Sequence, residues 1–88
     1  MIRRRVVVSG RVQGVFFRDT VCRMAESRGV AGWVSNRPDG RVEAVFEGPE
    51  ASVSAMVDLC REGPRRAEVE DVEVSDEEPE GLSGFEVR

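Results

Sequence analysis

The 88-residue sequence contains no lysine, no histidine and no tyrosine, and each absence removes a mechanism. Without histidine there is no imidazole to carry a proton near neutral pH, without lysine no amine for a Schiff base, and without tyrosine no phenolic acid. Only two cysteines occur, Cys22 and Cys60, too few for a disulfide framework and too widely spaced for a metal-binding pair. No metal site and no cofactor are expected, and a reducing cytoplasm is the expected compartment. There is no run of about 18 apolar residues, and Met1 leads through Ile2 and three arginines into only three valines, which is not a secretory leader. Neither a signal peptide nor a membrane partner is expected.

A chain this short is expected to form a single domain over residues 1–88, burying roughly 60 to 65% of its unfolded surface in one modest core. Monomer is the size-based default. Charge is distributed unevenly. Residues 1–41 hold nine arginines against three acids, residues 42–88 four arginines against fourteen acids, and the net charge is −4. That balance speaks against nucleic acid as a partner bound through phosphate neutralisation, but not against a small anion held in the basic half.

The β-branched run Val6, Val7, Val8 reads as a strand buried on both faces and ended by Gly10. Phe17, Val21, Met24, Ala25 and Arg28 then recur at helical spacing, and Gly29 is a suitable stop. Residues 30–36 read as a second strand, residues 37–40 ("RPDG") as a turn, and residues 41–47 as a third strand in a hairpin with the second. Gly48 and Pro49 open a second helix with Val53, Met56, Val57 and Cys60 on its apolar stripe, and Gly63 and Pro64 stop it. Residues 69–75 suggest a fourth strand near an edge, and Phe85 and Val87 a short closing one. The order predicts an α+β fold: a ferredoxin-like βαββαβ sandwich, with an antiparallel sheet of four to five strands and two helices packed on one face. A right-handed first βαβ crossover would bring the loop 10–17, Asn36 and the turn 37–40 to one end of that sheet.

That loop, "GRVQGVFFR" at residues 10–18, runs from a buried strand into a helix N-terminus. Backbone N–H groups and the helix dipole there favour an anion, and Arg18 adds a planar fork matched to phosphate oxygens. No Gly-Lys-Ser/Thr follows, so this is not a Walker loop, and the residues alone equally allow a plain strand-to-helix connection.

"GRVQGVFFR" resembles the signature of the acylphosphatase family, and "GWVSNRPDGRVEAVFEG" at residues 32–48 resembles its second motif. The resemblance spans essentially the whole chain, in length, element order and motif order. Ser35 departs mildly, standing where relatives more often carry a longer side chain. The resemblance implies hydrolysis of acyl phosphates, small molecules with a carboxyl–phosphate anhydride, to carboxylate and inorganic phosphate without metal or cofactor. It implies Arg18 as the phosphate-binding residue and Asn36 as the residue positioning the attacking water. The loop Arg11, Val12, Gln13, Gly14, Val15, Phe16 and Phe17 would supply N–H donors to the phosphoryl oxygens. Elementary chemistry agrees: a carboxylate leaves without being protonated, so charge stabilisation and water placement suffice.

Elsewhere the residues suggest plainer roles. Cys22 and Cys60 fall on helix faces turned to the same sheet, so buried free thiols are expected, with an inter-helix disulfide the alternative. Trp33 reads as a strand side chain packed beside the site, Arg3, Arg4 and Arg5 as solvated edge positions, and residues 76–80 as a solvated loop. Two other functions remain open to the sequence, a non-catalytic ferredoxin-like RNA- or anion-binding module and a carbamoyl-phosphate domain of the same family within a larger maturation enzyme. No second polar constellation marks the acyl side.

Overall fold

In the computed structural model, which describes residues 1–88, the chain runs β1 (Ile2–Arg11), α1 (Phe17–Ser27), β2 (Ala31–Asn36), β3 (Val42–Gly48), α2 (Glu50–Glu62), β4 (Glu68–Glu77) and β5 (Phe85–Val87). The five strands form one sheet in the order β4-β1-β3-β2-β5. β3 lies between β1 and β2 and is antiparallel to both. The sheet is mixed rather than wholly antiparallel, because β5 pairs in parallel with β2 through Gly32↔Phe85 and Val34↔Val87. Its direction follows from chain path: the loop after β4 reverses the chain, and β4 itself runs against β1 and β2.

Strand alternation sorts the side chains onto two unlike faces. Val6, Val8, Val34, Val42, Ala44 and Phe46 point to the helices and are buried with Phe17, Val21 and Ala25 of α1 and Val53, Met56, Val57 and Cys60 of α2. Phe85 stacks on Phe46 with ring centroids 5.8 Å apart, which extends the core to β5. β4 extends beyond residues 69–75 because it pairs with β1 from Arg3↔Glu77 to Arg11↔Glu68.

The opposite face carries no second layer, and charge covers it instead. Arg3 was expected at a solvated edge, yet it lies on the second strand of the sheet and is 5% exposed. Its guanidinium reaches Glu47 and Glu77, both at 2.8 Å, and Glu80 at 2.6 Å. Arg5 pairs with Glu77 at 2.7 Å and with Glu43. Trp33 is on this face, with the guanidinium of Arg5 5.5 Å and that of Arg88 4.8 Å from its ring centroid.

Glu47 is the centre of this arrangement, at 1% exposure. Besides Arg3, its carboxylate accepts the backbone N–H groups of Glu80, Gly81 and Leu82 at 2.9 to 3.1 Å. Residues 76–80 are therefore not a free solvated loop; the chain leaving β4 is pinned to β3. Burial alone would raise the Glu47 carboxyl, but these N–H groups and Arg3 outweigh it and hold the group below the ordinary carboxylate range. Glu77 is held low as well, by Arg5 and then Arg3.

Glu47→Ala leaves the N–H groups of Glu80, Gly81 and Leu82 without their acceptor and takes one of three carboxylates from Arg3, so it should cost about 2 to 3 kcal/mol in urea unfolding at pH 7. Carboxyls whose folded value lies below their unfolded one, about 4.3, contribute fully above that pH, and their contribution is lost as pH falls through the folded value. The unfolding midpoint of the native protein should therefore fall steeply below about pH 4.5. Glu47→Gln should be less stable at pH 7 and show a shallower acid decline.

Candidate active site

The site begins where β1 turns into α1. β1 and β4 fall out of register between Ser9 and Gly10, and a side chain at Gly10 would place its Cβ 2.2 Å from the carbonyl oxygen of Glu68. Only glycine allows that approach, and from there the chain leaves the sheet. Val12 and Val15, at 1% and 6% exposure, anchor the loop in the core. Between them Gly14, at φ +73°, carries the backbone outward.

Helix α1 starts without a side-chain cap. Its N-cap is Phe16, which at φ 62° is the one non-glycine residue in the left-handed region. None of the N–H groups from Val12 to Asp19 donates to a backbone carbonyl of the chain. A run of unsatisfied donors ending at the positive end of a helix dipole is a concavity suited to an anion.

Arg18 stands in the first turn of α1, half-buried, with Nη1 donating to the main-chain oxygen of Arg88 at 3.2 Å. No carboxylate side chain pairs with it, and the neighbouring Asp19 is paired with Arg23 at 3.2 Å. Asn36 closes β2 in the same alternation phase as Val34, so its side chain points toward the helix layer and the start of α1. The amide of Asn36 has no hydrogen-bond partner in the chain. A cavity of about 340 Å³ brings Arg18 and Asn36 together with Val12, Gly14, Phe16 and Phe17, and Asp19 and Val87 complete its lining.

The side chains of Arg11, Gln13 and Val15 do not line that cavity. Arg11 is the last residue of β1, opposite Glu68, and its side chain is exposed. The Gln13 side chain bridges the two halves of the site, with Nε2 donating to the carbonyls of Arg37 at 2.8 Å and Arg41 at 3.0 Å. Those carbonyls flank the turn that follows Asn36, itself closed by Arg37 N–H to Arg41 O at 2.7 Å. This clamp, the Val87 wall and the Arg88 main-chain oxygen were not foreseen from sequence. The alternating Phe85 and Val87 were the one available signal for the last two, and they did not disclose which edge β5 joins.

The acylphosphatase family model matches residues 4–87. The chain belongs to the acylphosphatase family. The acylphosphatase of Haloarcula marismortui is 63% identical over 86 residues, 98% of this chain and 94% of that one. The crystal structure of acylphosphatase from Bacillus subtilis superposes with a TM-score of 0.96 at 42% identity, covering 100% of this chain and 99% of that one. Full-length HypF in its phosphate- and nucleotide-bound form aligns with 99% of this chain but 12% of its own length, at a TM-score of 0.91 and 26% identity. As an acylphosphatase, the protein is a hydrolase acting on small acyl phosphates.

The two thiols stand outside this chemistry, and both are free. Cys60 is buried on α2, and burial pushes its thiol up to about 12. Cys22 is only half-buried, off the core stripe of α1; desolvation and then a hydrogen bond to Glu26 raise it to about 11. Neither is a thiolate nucleophile at neutral pH.

If the Gln13 clamp holds the two halves of the acylphosphatase site in register, Gln13→Met should lower kcat roughly tenfold. Gln13→Glu should lower it further, because a carboxylate then faces two carbonyl oxygens. If the clamp acts by placing Asn36 through the turn that follows it, Gln13→Met should cost little more in an Asn36→Ala background.

Proposed function

We propose that this acylphosphatase binds the phosphoryl group of its substrate between the backbone N–H groups of the loop 11–17 and the Arg18 guanidinium, with Asn36 placing the attacking water. One observation carries the reading. Unsatisfied N–H donors, an arginine with no carboxylate side chain paired to it and an amide without any partner border the same pocket.

Each part matches a demand of the reaction. The transferred phosphoryl group spreads negative charge over its equatorial oxygens, and preorganised amides with a bidentate guanidinium stabilise that charge in a partly water-excluded site. An arginine at a helix N-terminus is electrostatically unfavourable alone, and a bound anion reverses the sign. Asn36 is too weak a base to deprotonate water, but its amide can donate and accept, which is enough to hold a water in line with the P–O bond. As water attacks phosphorus, the bond to the carboxylate oxygen breaks and the carboxylate leaves unprotonated. The water's proton passes to a phosphoryl oxygen of the substrate, because the one carboxylate side chain on the pocket, Asp19, is engaged by Arg23.

The reading requires neither metal nor cofactor. All the proposed groups come from one chain, which is consistent with a monomer. No nucleic-acid partner is proposed, because Trp33 already has two guanidinium groups over its ring, and Arg3 and Arg5 on the same sheet face are already paired with Glu43, Glu47 and Glu77. No helix is long and apolar enough to cross a membrane.

The test is loss of benzoyl phosphate absorbance in the presence of EDTA. Hydrolysis should persist in EDTA, fall roughly 100-fold or more in folded Asn36→Ala, and fall in Arg18→Ala together with weaker inhibition by inorganic phosphate. Arg18→Lys should restore little, because an ammonium cannot reproduce the two-pronged contact. Activity that survives both Asn36→Ala and Arg18→Ala would remove these assignments.

A further inference from the structure

The pocket has a second chemical character at its mouth. Phe16 leaves 70% of its surface in water, and Val87, from the end of β5, leaves 48%. Both border the cavity that holds Arg18 and Asn36. Phe16 also adopts φ 62°, a left-handed conformation that disfavours an aromatic residue by roughly 1 to 2 kcal/mol. Glycine, asparagine or aspartate would hold the same backbone more easily and expose less apolar surface. Neither the strain nor the exposure benefits the folded chain, so the ring at the rim is better explained by something that covers it.

An acyl phosphate has two ends, and so has this pocket. With the phosphoryl group against the loop amides and Arg18, the acyl carbon must project along the remaining wall, toward Phe16 and Val87. That wall offers no hydrogen-bonding side chain to the acyl end, and the one carboxylate on the pocket, Asp19, does not favour a second negative charge. We propose that Phe16 and Val87 form an acyl subsite that selects acyl phosphates with aromatic or branched apolar acyl groups over those with small or carboxylate-bearing ones. The proposal rests on the phosphate orientation given above. It distinguishes the protein from one adapted to carbamoyl phosphate, whose small polar amide would leave both side chains exposed.

The experiment compares kcat/KM for benzoyl, acetyl and succinyl phosphate in the native protein, Phe16→Ala, Phe16→Asn and Val87→Ser. The native protein should prefer benzoyl phosphate. Phe16→Ala keeps a strained backbone and loses the ring, and the benzoyl-to-acetyl ratio should fall about tenfold. Phe16→Asn relaxes the backbone and should show the same fall, which separates ring contact from strain. Val87→Ser should lower the ratio by a smaller factor and keeps the proposal testable if a Phe16 variant does not fold. A ratio unchanged in all folded variants, or a native preference for succinyl phosphate, would overturn the subsite while leaving the phosphate-site reading intact. Absence of turnover with all three acyl phosphates would remove both.

Discussion

The buried carboxylate of Glu47 is the contact on which the geometry of the active end depends. β4 and β5 occupy opposite edges of the sheet, so the chain between them must cross its full width. A crossing of that length has backbone donors to satisfy and little apolar surface to hold it down. Glu47 supplies both remedies, accepting three consecutive N–H groups from the crossing while it is tied to β1 through Arg3. β5 can then settle beside β2, where the Arg88 N–H reaches the Val34 carbonyl at 2.8 Å and Val87 meets the pocket. A charge buried at one end of the sheet thus helps to place the apolar wall and the Arg18 acceptor at the other.

The same economy of charge explains how one face of a five-stranded sheet can lack a covering layer. Arg3, Arg5 and Arg88 extend their aliphatic stems over the face while their guanidinium groups are shared among Glu43, Glu47, Glu77, Glu80 and the Trp33 ring. Exposed ion pairs contribute little individually, but a buried member with several partners is costly to break. Arg18 stands apart from this network. It has no carboxylate side chain paired to it and stands at the mouth of the loop, where a substrate anion could complete it.

Much of the fold was legible because local signals and tertiary packing agree. Val6, Val7 and Val8 could only be an interior strand, the Phe17, Val21, Ala25 stripe only a helix face, and Gly10 and Gly14 only a backbone that departs from ordinary geometry. The pocket was legible for a related reason: strand direction and crossover handedness already bring residues 10–17 and Asn36 to one end. What stayed hidden depends on register rather than composition. Glu47 looks like any polar position of an alternating strand until Arg3 is known to lie directly across from it. Arg3 looks solvated until the crossing loop is known to pass over it. Gln13 is one polar residue in a glycine loop, and its role requires knowing that the turn 37–41 lies within reach of its amide.

The residue types missing from the chain and the chemistry of its site are two views of one constraint. Histidine, lysine and tyrosine are needed where a poor leaving group must be protonated or a nucleophile deprotonated. A carboxyl–phosphate anhydride makes neither demand strongly, since its leaving group is a stable anion and its own phosphoryl oxygens can take a proton. What remains is to hold charges and a water in place, and rigid backbone does that without any titratable group. The pH limit of such an enzyme should be set at the acid end by the Glu47 and Glu77 network that holds the scaffold, rather than by a catalytic base.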